Sequence, residues 1–200
     1  MPRARRTQEE RSTAMRARLL EATVATLFDR GYSRTTTTEI ARRARVSRGA
    51  QLHHFPTKDE LVVTALRHLF IERTREFHEA FEALPAGTDR ATAAVDLLWS
   101  MLSGPTFYAW LELVVAARTN PKLRRAVTPL AREFVERVQE TFRRLFPKSS
   151  LPIAPHFAFA LLQGLAVDSI VLPDAPHVGF IVEQLRALGR LVLLHKEPTR

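Results

Sequence analysis

The chain has no cysteine, which removes disulfides, zinc–thiolate sites and thiol catalysis from consideration. It has no long apolar run either. Charged residues interrupt every hydrophobic stretch, so no segment is expected to cross a membrane. The first residues, MPRARR, are basic and no apolar run follows them, which argues against a signal peptide and for the cytoplasm. Strand-period alternation, internal repeats and low-complexity tracts are missing. So are the short motifs of common catalytic sites: G-x-S-x-G, the P-loop, H-E-x-x-H and a glycine-rich dinucleotide loop. His53 and His54 beside Lys58 come nearest to an acid–base cluster. Adjacent helical residues point in different directions, however, and no carboxylate is suitably spaced. His68/Glu72 and His78/Glu82 are i, i+4 pairs, but a metal site needs three or four ligands. The expectation is a chain with no catalytic residue, metal or cofactor, and not an enzyme.

What is there suits a folded, basic protein. An apolar fraction of 46% is enough for a core, and 200 residues suit one or two small domains. The net charge of +9 is uneven: residues 1–60 carry 13 basic and 7 acidic side chains, and residues 61–200 carry 17 and 14. Most of the excess therefore lies in the first part of the chain, an asymmetry suited to a polyanionic partner.

That basic part contains TTTEIARRARVSRGAQLHHF, Thr36 to Phe55. Thr36 and Glu39 form a T-x-x-E capping box and predict a helix start. Ile40, Ala41 and Ala44 would give that helix an inward face. Arg45-Val46 breaks the pattern, and Ser47 is a second N-cap. The next helix, Arg48 to His54, carries basic and hydrogen-bonding side chains that apolar packing does not explain. Phe55-Pro56 ends it, and Thr57-x-x-Glu60 starts a longer helix at once. A short basic helix held across a preceding one is what reading the major groove requires. Upstream, Thr7-x-x-Glu10 allows a first helix from Gln8. Leu20, Val24, Leu27 and Phe28 form its apolar stripe, Gly31 is placed to end it, and Tyr32 would pack beneath the turn.

The amphipathic first helix, Gly31-Tyr32, Thr35-Thr36, Ile40-Ala41, Val46-Ser47, Gly49, His54-Phe55 and Lys58 together resemble the TetR-type transcriptional regulators. The likeness covers Arg11 to about Phe70; beyond it only the layout of an all-helical domain is shared. The resemblance implies an all-α fold. A flexible basic arm would occupy residues 1–11, a three-helix helix-turn-helix DNA-binding domain residues 12–72, and an effector-binding and dimerisation domain residues 73–200. Carried over position by position, it implies that Thr37 and Thr38 meet a phosphate and a base, and that Arg48 reads a base. Gly49 and Ala50 would let the recognition helix sit deep in the groove, and His53 and Lys58 would contact phosphates. His54 would brace the helix, or be a hydrogen-bonded structural histidine. Three positions depart from the family's habit. Arg45 replaces a turn glycine, at a cost of about 1 kcal/mol if that residue is left-handed. Leu52 replaces a phosphate-binding tyrosine. Gln51 replaces a buried leucine: either it packs, with Leu52 taking over the packing, or it reaches an adenine. The arm MPRARR either frays or adds a phosphate or minor-groove contact.

Further helices are expected over about 58–77, 88–102, 106–118, 121–146, 156–172 and 177–195, with a kink or break near Thr128, ahead of Pro129. The resemblance implies an apolar effector pocket, with Trp99, Phe107, Trp110, Glu112 and Phe134 as its candidate lining unless the aromatics are simply core. The stretch HFAFALLQGLAVDSIVL is apolar nearly all round and needs cover on more than one side. A second subunit would supply it, through Phe157, Ala160, Leu161, Gly164 and Val167 together with Phe180, Leu185, Leu188 and Val192 of the last helix. The implied partners are a double-stranded DNA operator, a second copy of the chain and a hydrophobic small molecule, with no membrane. The implied function is a ligand-responsive repressor that binds a palindromic operator as a homodimer; an activator, or a regulator without a ligand, is the variant within that class. A nonspecific helical protein that coats nucleic acid or a membrane surface is the rival. Its charge would spread along one long amphipathic helix, whereas here it gathers around the capped short helices.

Overall fold

A computed structural model describes residues 7–147 and 154–193, apart from the side chains of residues 154, 192 and 193. Among the described residues there are nine α-helices and no strand: α1 (Gln8–Arg34), α2 (Thr37–Ala44), α3 (Arg48–His54), α4 (Lys58–Glu82), α5 (Arg90–Leu102), α6 (Pro105–Thr119), α7 (Pro121–Leu145), α8 (Ala154–Val171) and α9 (Pro176–Leu193). They fall into two compact units. One holds the residues up to Ile71 together with Tyr108–Ala131; the other holds Glu72–Phe107 and the residues from Arg132 onward.

The first unit is built on α1 to α3 and the start of α4. Thr7 caps α1 in a reciprocal box with Glu10, so residues 8–11 are helical and are not part of a flexible arm; residues 1–6 lie outside the described ones. Leu19, Leu20, Ile40, Ala44, Phe55 and Leu61 close a buried core, with Val24 and Val46 packed against it. Phe28, expected on the same stripe, stays 39% exposed. Gly31 breaks α1 without ending it: its φ of 69° and ψ of 173° interrupt the helix, and one more turn follows before Thr35.

Two N-terminal boxes form by halves. Thr36 accepts from the Glu39 N–H and Thr57 from the Glu60 N–H. The Glu39 carboxylate does not return to Thr36, because Arg42 and Arg30 hold it. Charge-assisted bonds to guanidinium outcompete a bond to one neutral amide.

In the second unit α5 packs against α8 and α9. Ala91, Val95 and Leu102 of α5 are buried, as are Leu162, Leu165, Val182 and Leu185. Asp89 caps α5 by accepting from the Ala91 and Thr92 N–H groups. Arg186 Nε donates to Asp96 Oδ1 at 2.7 Å and ties α9 to α5. Of the kink or break expected near Thr128, the break does not occur: α7 runs on through Pro129. Pro129 removes one N–H from the ladder of α7, but Val127 and Leu130 on either side of it are both buried and hold the helix in one piece. No group of three or more metal-ligating side chains occurs among the described residues. No helix among them is long and apolar enough to cross a membrane.

Candidate nucleic-acid interface

The interface grows from two capped helices and a strained turn. Ser47 accepts from the Ala50 N–H at 3.2 Å and starts α3. Between α2 and α3, Arg45 takes φ 54° and ψ 47°, and is the single non-glycine residue with positive φ among the described residues. Its N–H and that of Val46 satisfy the last carbonyls of α2, so the left-handed residue closes the helix as a C-cap normally does. Arginine holds this conformation at about 1 kcal/mol more than glycine would.

The basic side chains around this turn differ in their partners. Arg42 donates from Nε and Nη2 to the two oxygens of Glu39, at 2.9 and 2.8 Å. Arg43 pairs with Asp29 at 2.5 Å. The Glu39 carboxyl is held down to about 2, first by the Arg42 hydrogen bond and then by the charges of Arg30, Arg42 and Arg43. Among the described residues Arg48 pairs with no acid; its Nη1 donates to the Thr38 hydroxyl at 3.2 Å. Thr38, Arg48, Gly49 and His53 are exposed, while Thr37, Ala50, His54 and Lys58 are half-buried. A Cβ at Gly49 would meet no atom within 4 Å, so that side of α3 is open.

Gln51 belongs elsewhere. It is 0% exposed, and its Nε2 donates to the Phe55 carbonyl at 2.7 Å. It therefore packs and does not reach a base, which removes it from the DNA-facing set. Leu52 does not take over the packing, because it remains 43% exposed. His54 sits edge-on to His53 at 5.6 Å. Burial, and then the charges of His53 and Arg16, push its pKa down. Arg16 of α1 lies over the Phe55 ring at 4.8 Å and covers the end of α3.

Lys58 is anchored from inside. Its ammonium donates to the Tyr32 carbonyl at 2.7 Å and stands 4.0 Å from the centre of the Tyr32 ring, which leaves two of its three protons for other acceptors. Partial burial pushes its pKa down. The Tyr32 hydroxyl donates to Asp59 Oδ1 at 2.9 Å, and burial followed by that bond raises its pKa. On the other side, the Tyr32 N–H donates to Glu112 Oε2 at 2.5 Å. Glu112 was a candidate for an effector pocket; its carboxylate instead caps the turn at Gly31. Tyr32, expected beneath the turn, is thus a support of the interface together with Glu112 and with Asp59, which spacing alone did not single out.

The other candidate effector residues are divided. Trp110 lies in the first unit, edge-on to Phe70 at 5.5 Å, whereas Trp99, Phe107 and Phe134 lie in the second. Phe107 is buried, and Phe134 leans on Phe159 at 5.2 Å. A groove of about 360 Å³ in the first unit is lined by Thr57, Asp59, Glu60, Val63, Thr64, Arg67, Lys122 and Ala126, none of them a candidate.

The second unit exposes an apolar stripe along α8 and α9. Phe157, Ala160, Gly164, Val167, Phe180 and Leu188 are exposed and Leu161 is half-buried. Ile170, Val171, Leu172 and Leu191 are exposed too, Val171 by 79%, and were not among the expected positions. Leu185 is 5% exposed: it packs inside its own unit and is not part of the stripe. The side chain of Val192 lies outside the described ones.

A family model of bacterial regulatory proteins of the tetR family matches residues 19–65, and a model of the C-terminal part of BetI-type transcriptional repressors matches residues 88–192. An HTH-type transcriptional regulator of Mycobacterium bovis is 29% identical over 174 residues, covering 84% of this chain and 89% of the relative. The HTH-type transcriptional regulator BetI of Paraburkholderia phymatum is 30% identical over 153 residues, covering 75% of this chain and 78% of the relative. Among solved structures, the multidrug binding protein EbrR in complex with imidazole is 25% identical with a TM-score of 0.65, covering 92% of this chain and 96% of that one. With its capped helix-turn-helix and its all-helical second unit, the chain belongs to the TetR family of DNA-binding transcriptional regulators.

Proposed function

We propose that the chain is a cytoplasmic, ligand-responsive repressor that binds a palindromic operator as a homodimer. The exposed apolar stripe of α8 and α9 carries the dimer. Phe157, Val167 and Val171 of α8 and Phe180, Leu188 and Leu191 of α9 leave large apolar side chains in water, and apolar exposure gathered on two helices in this way favours an association surface. A second copy would bury the same patch against itself about a two-fold axis. The length of the reading element points the same way. α3 has seven residues, about two turns, and contacts too few base pairs to define a genomic site. Two of them related by a two-fold axis read an inverted repeat with fixed half-site spacing. Thr37, Thr38, Arg48, Gly49, Ala50, His53, His54 and Lys58 form the DNA-facing set in this reading.

A ligand response is supported by the relatives. One matching family model is of BetI-type repressors, and EbrR structures hold imidazole, ethidium and proflavin. A hydrophobic small molecule that prefers one of two states would shift operator affinity by its differential affinity for them. Recovery of bound genomic fragments tests the reading. An inverted repeat should emerge, resist excess random duplex, and shift in mass as a complex with two chains. A monomer in light scattering at micromolar concentration that still bound an inverted repeat tightly would sink the dimer. A ligand that raised the melting temperature yet never changed operator affinity would sink the switch.

A further inference from the structure

We propose that Thr38 is a positioning residue for Arg48, holding its guanidinium toward a guanine edge so that the two side chains form one reading unit across α2 and α3. The inference rests on the reading that Arg48 faces the major groove.

Partner chemistry separates Arg48 from its neighbours. Arg42 and Arg43 are held by carboxylates, Glu39 and Asp29, which orient them and cancel their charge together. Arg48 is held by a hydroxyl, which orients it and leaves the charge whole. One of its five N–H groups goes to Thr38 and four remain, enough for the bidentate pair to O6 and N7 that identifies guanine.

Thr38 is free for this work because of where it sits. A threonine inside a helix commonly turns its hydroxyl onto the carbonyl four residues back. Thr23, Thr26 and Thr128 do so, bonding the carbonyls of Leu19, Ala22 and Arg124. Thr38 is the second residue of α2, and the residue four back precedes that helix. Its hydroxyl therefore turns outward, and Arg48, ten residues on, is the group that uses it. The tether matters for selectivity. A long, untethered arginine beside DNA can swing to a phosphate, which carries no sequence information. A held one loses less freedom on binding and keeps its donors on the base. The open space beside Gly49 lets the base edge approach.

The test uses the full-length protein and the duplex recovered by selection, with each base pair replaced in turn. Arg48→Ala should abolish the guanine preference at one position. Thr38→Val, which keeps the shape and loses the hydroxyl, should reduce the preference at that same position by roughly three- to tenfold. It should leave the other positions and the melting curve unchanged, and Thr38→Ser should restore the preference. If Arg48→Ala relaxes one position and Thr38→Val relaxes none, the positioning role is overturned while Arg48 stands as a reader. If Thr38→Val relaxes a different position, Thr38 reads a base itself and the inference is equally overturned. If Arg48→Ala relaxes no position, the reading of Arg48 fails first and takes this one with it.

Discussion

At Gln51 the recognition helix buries an amide that it only half satisfies. Nε2 has the Phe55 carbonyl, but Oε1 has no partner among the described residues, in a side chain that is fully buried. An unpaired buried acceptor costs about 1–3 kcal/mol, whereas the bond that Nε2 makes contributes about 1. Gln51→Leu removes both and should raise unfolding stability by roughly 1 kcal/mol, without changing operator affinity. Thermal melting and a binding titration check this; a lower melting temperature would mean that the Phe55 bond is the larger effect. The residues around Gln51 left two readings open, packing in place of a buried leucine or reaching an adenine, and its burial decides for packing. A polar side chain among Arg48, His53 and His54 has the composition of a reader, and only the course of α3 over the core puts it inside. Leu52 fails by the same logic in reverse, an apolar side chain turned outward.

Helix ends were legible because they are local. Thr7, Thr36, Ser47, Thr57 and Asp89 each accept from amides within three residues, and the start of every short helix in the first unit follows from such pairs. What competes for a cap is not local. Glu39 leaves its box because Arg30, on another helix, joins Arg42 around it. The consequence is a titration. The carboxyl titrates near 2 in the folded state against 4.5 when free. A depressed carboxyl stabilises the fold fully above its unfolded value and loses that contribution as pH falls toward the folded one. The melting temperatures of wild type and Glu39→Gln should therefore differ at pH 5 and converge between about pH 4.5 and 2; a gap that held constant over that window would mean that Glu39 is not the group responsible. Gly31 was legible as a special residue, but not the carboxylate that meets it from eighty residues away. Its φ and ψ lie where only glycine is at ease, and a side chain there costs about 1–3 kcal/mol. A Cβ would also overlap the Glu112 carboxylate and displace it from the Tyr32 amide. Gly31→Ala should thus destabilise less in a Glu112→Ala background than in wild type, by at least about 0.5 kcal/mol. Denaturant titration of the four proteins gives the coupling, and strictly additive losses would contradict it.

At the scale of the molecule, the all-helical layout and the apolar outer helices followed from periodicity, since a helix apolar on every side has to be covered twice. Gly164 is the position where cover from a second copy can be tested without harm to the subunit. It is exposed, and a Cβ there meets nothing within 4 Å, while leucine is a better helix former by roughly 1 kcal/mol. Gly164→Leu should keep its helical circular dichroism, halve its mass in light scattering and bind the operator poorly; an unchanged mass would exclude this stretch of α8 from the interface. The grouping of Tyr108–Ala131 with the first seventy-one residues has a bearing on how such proteins can be recombined. A hybrid regulator made by joining the head of one chain to the sensor half of another, cut at residue 72, would carry Tyr32 without Glu112 and Phe70 without Trp110. The heritable module is then discontinuous, two stretches of sequence that must be exchanged together, and a graft that moves only the first should regain its footing through compensating changes at positions 110 and 112.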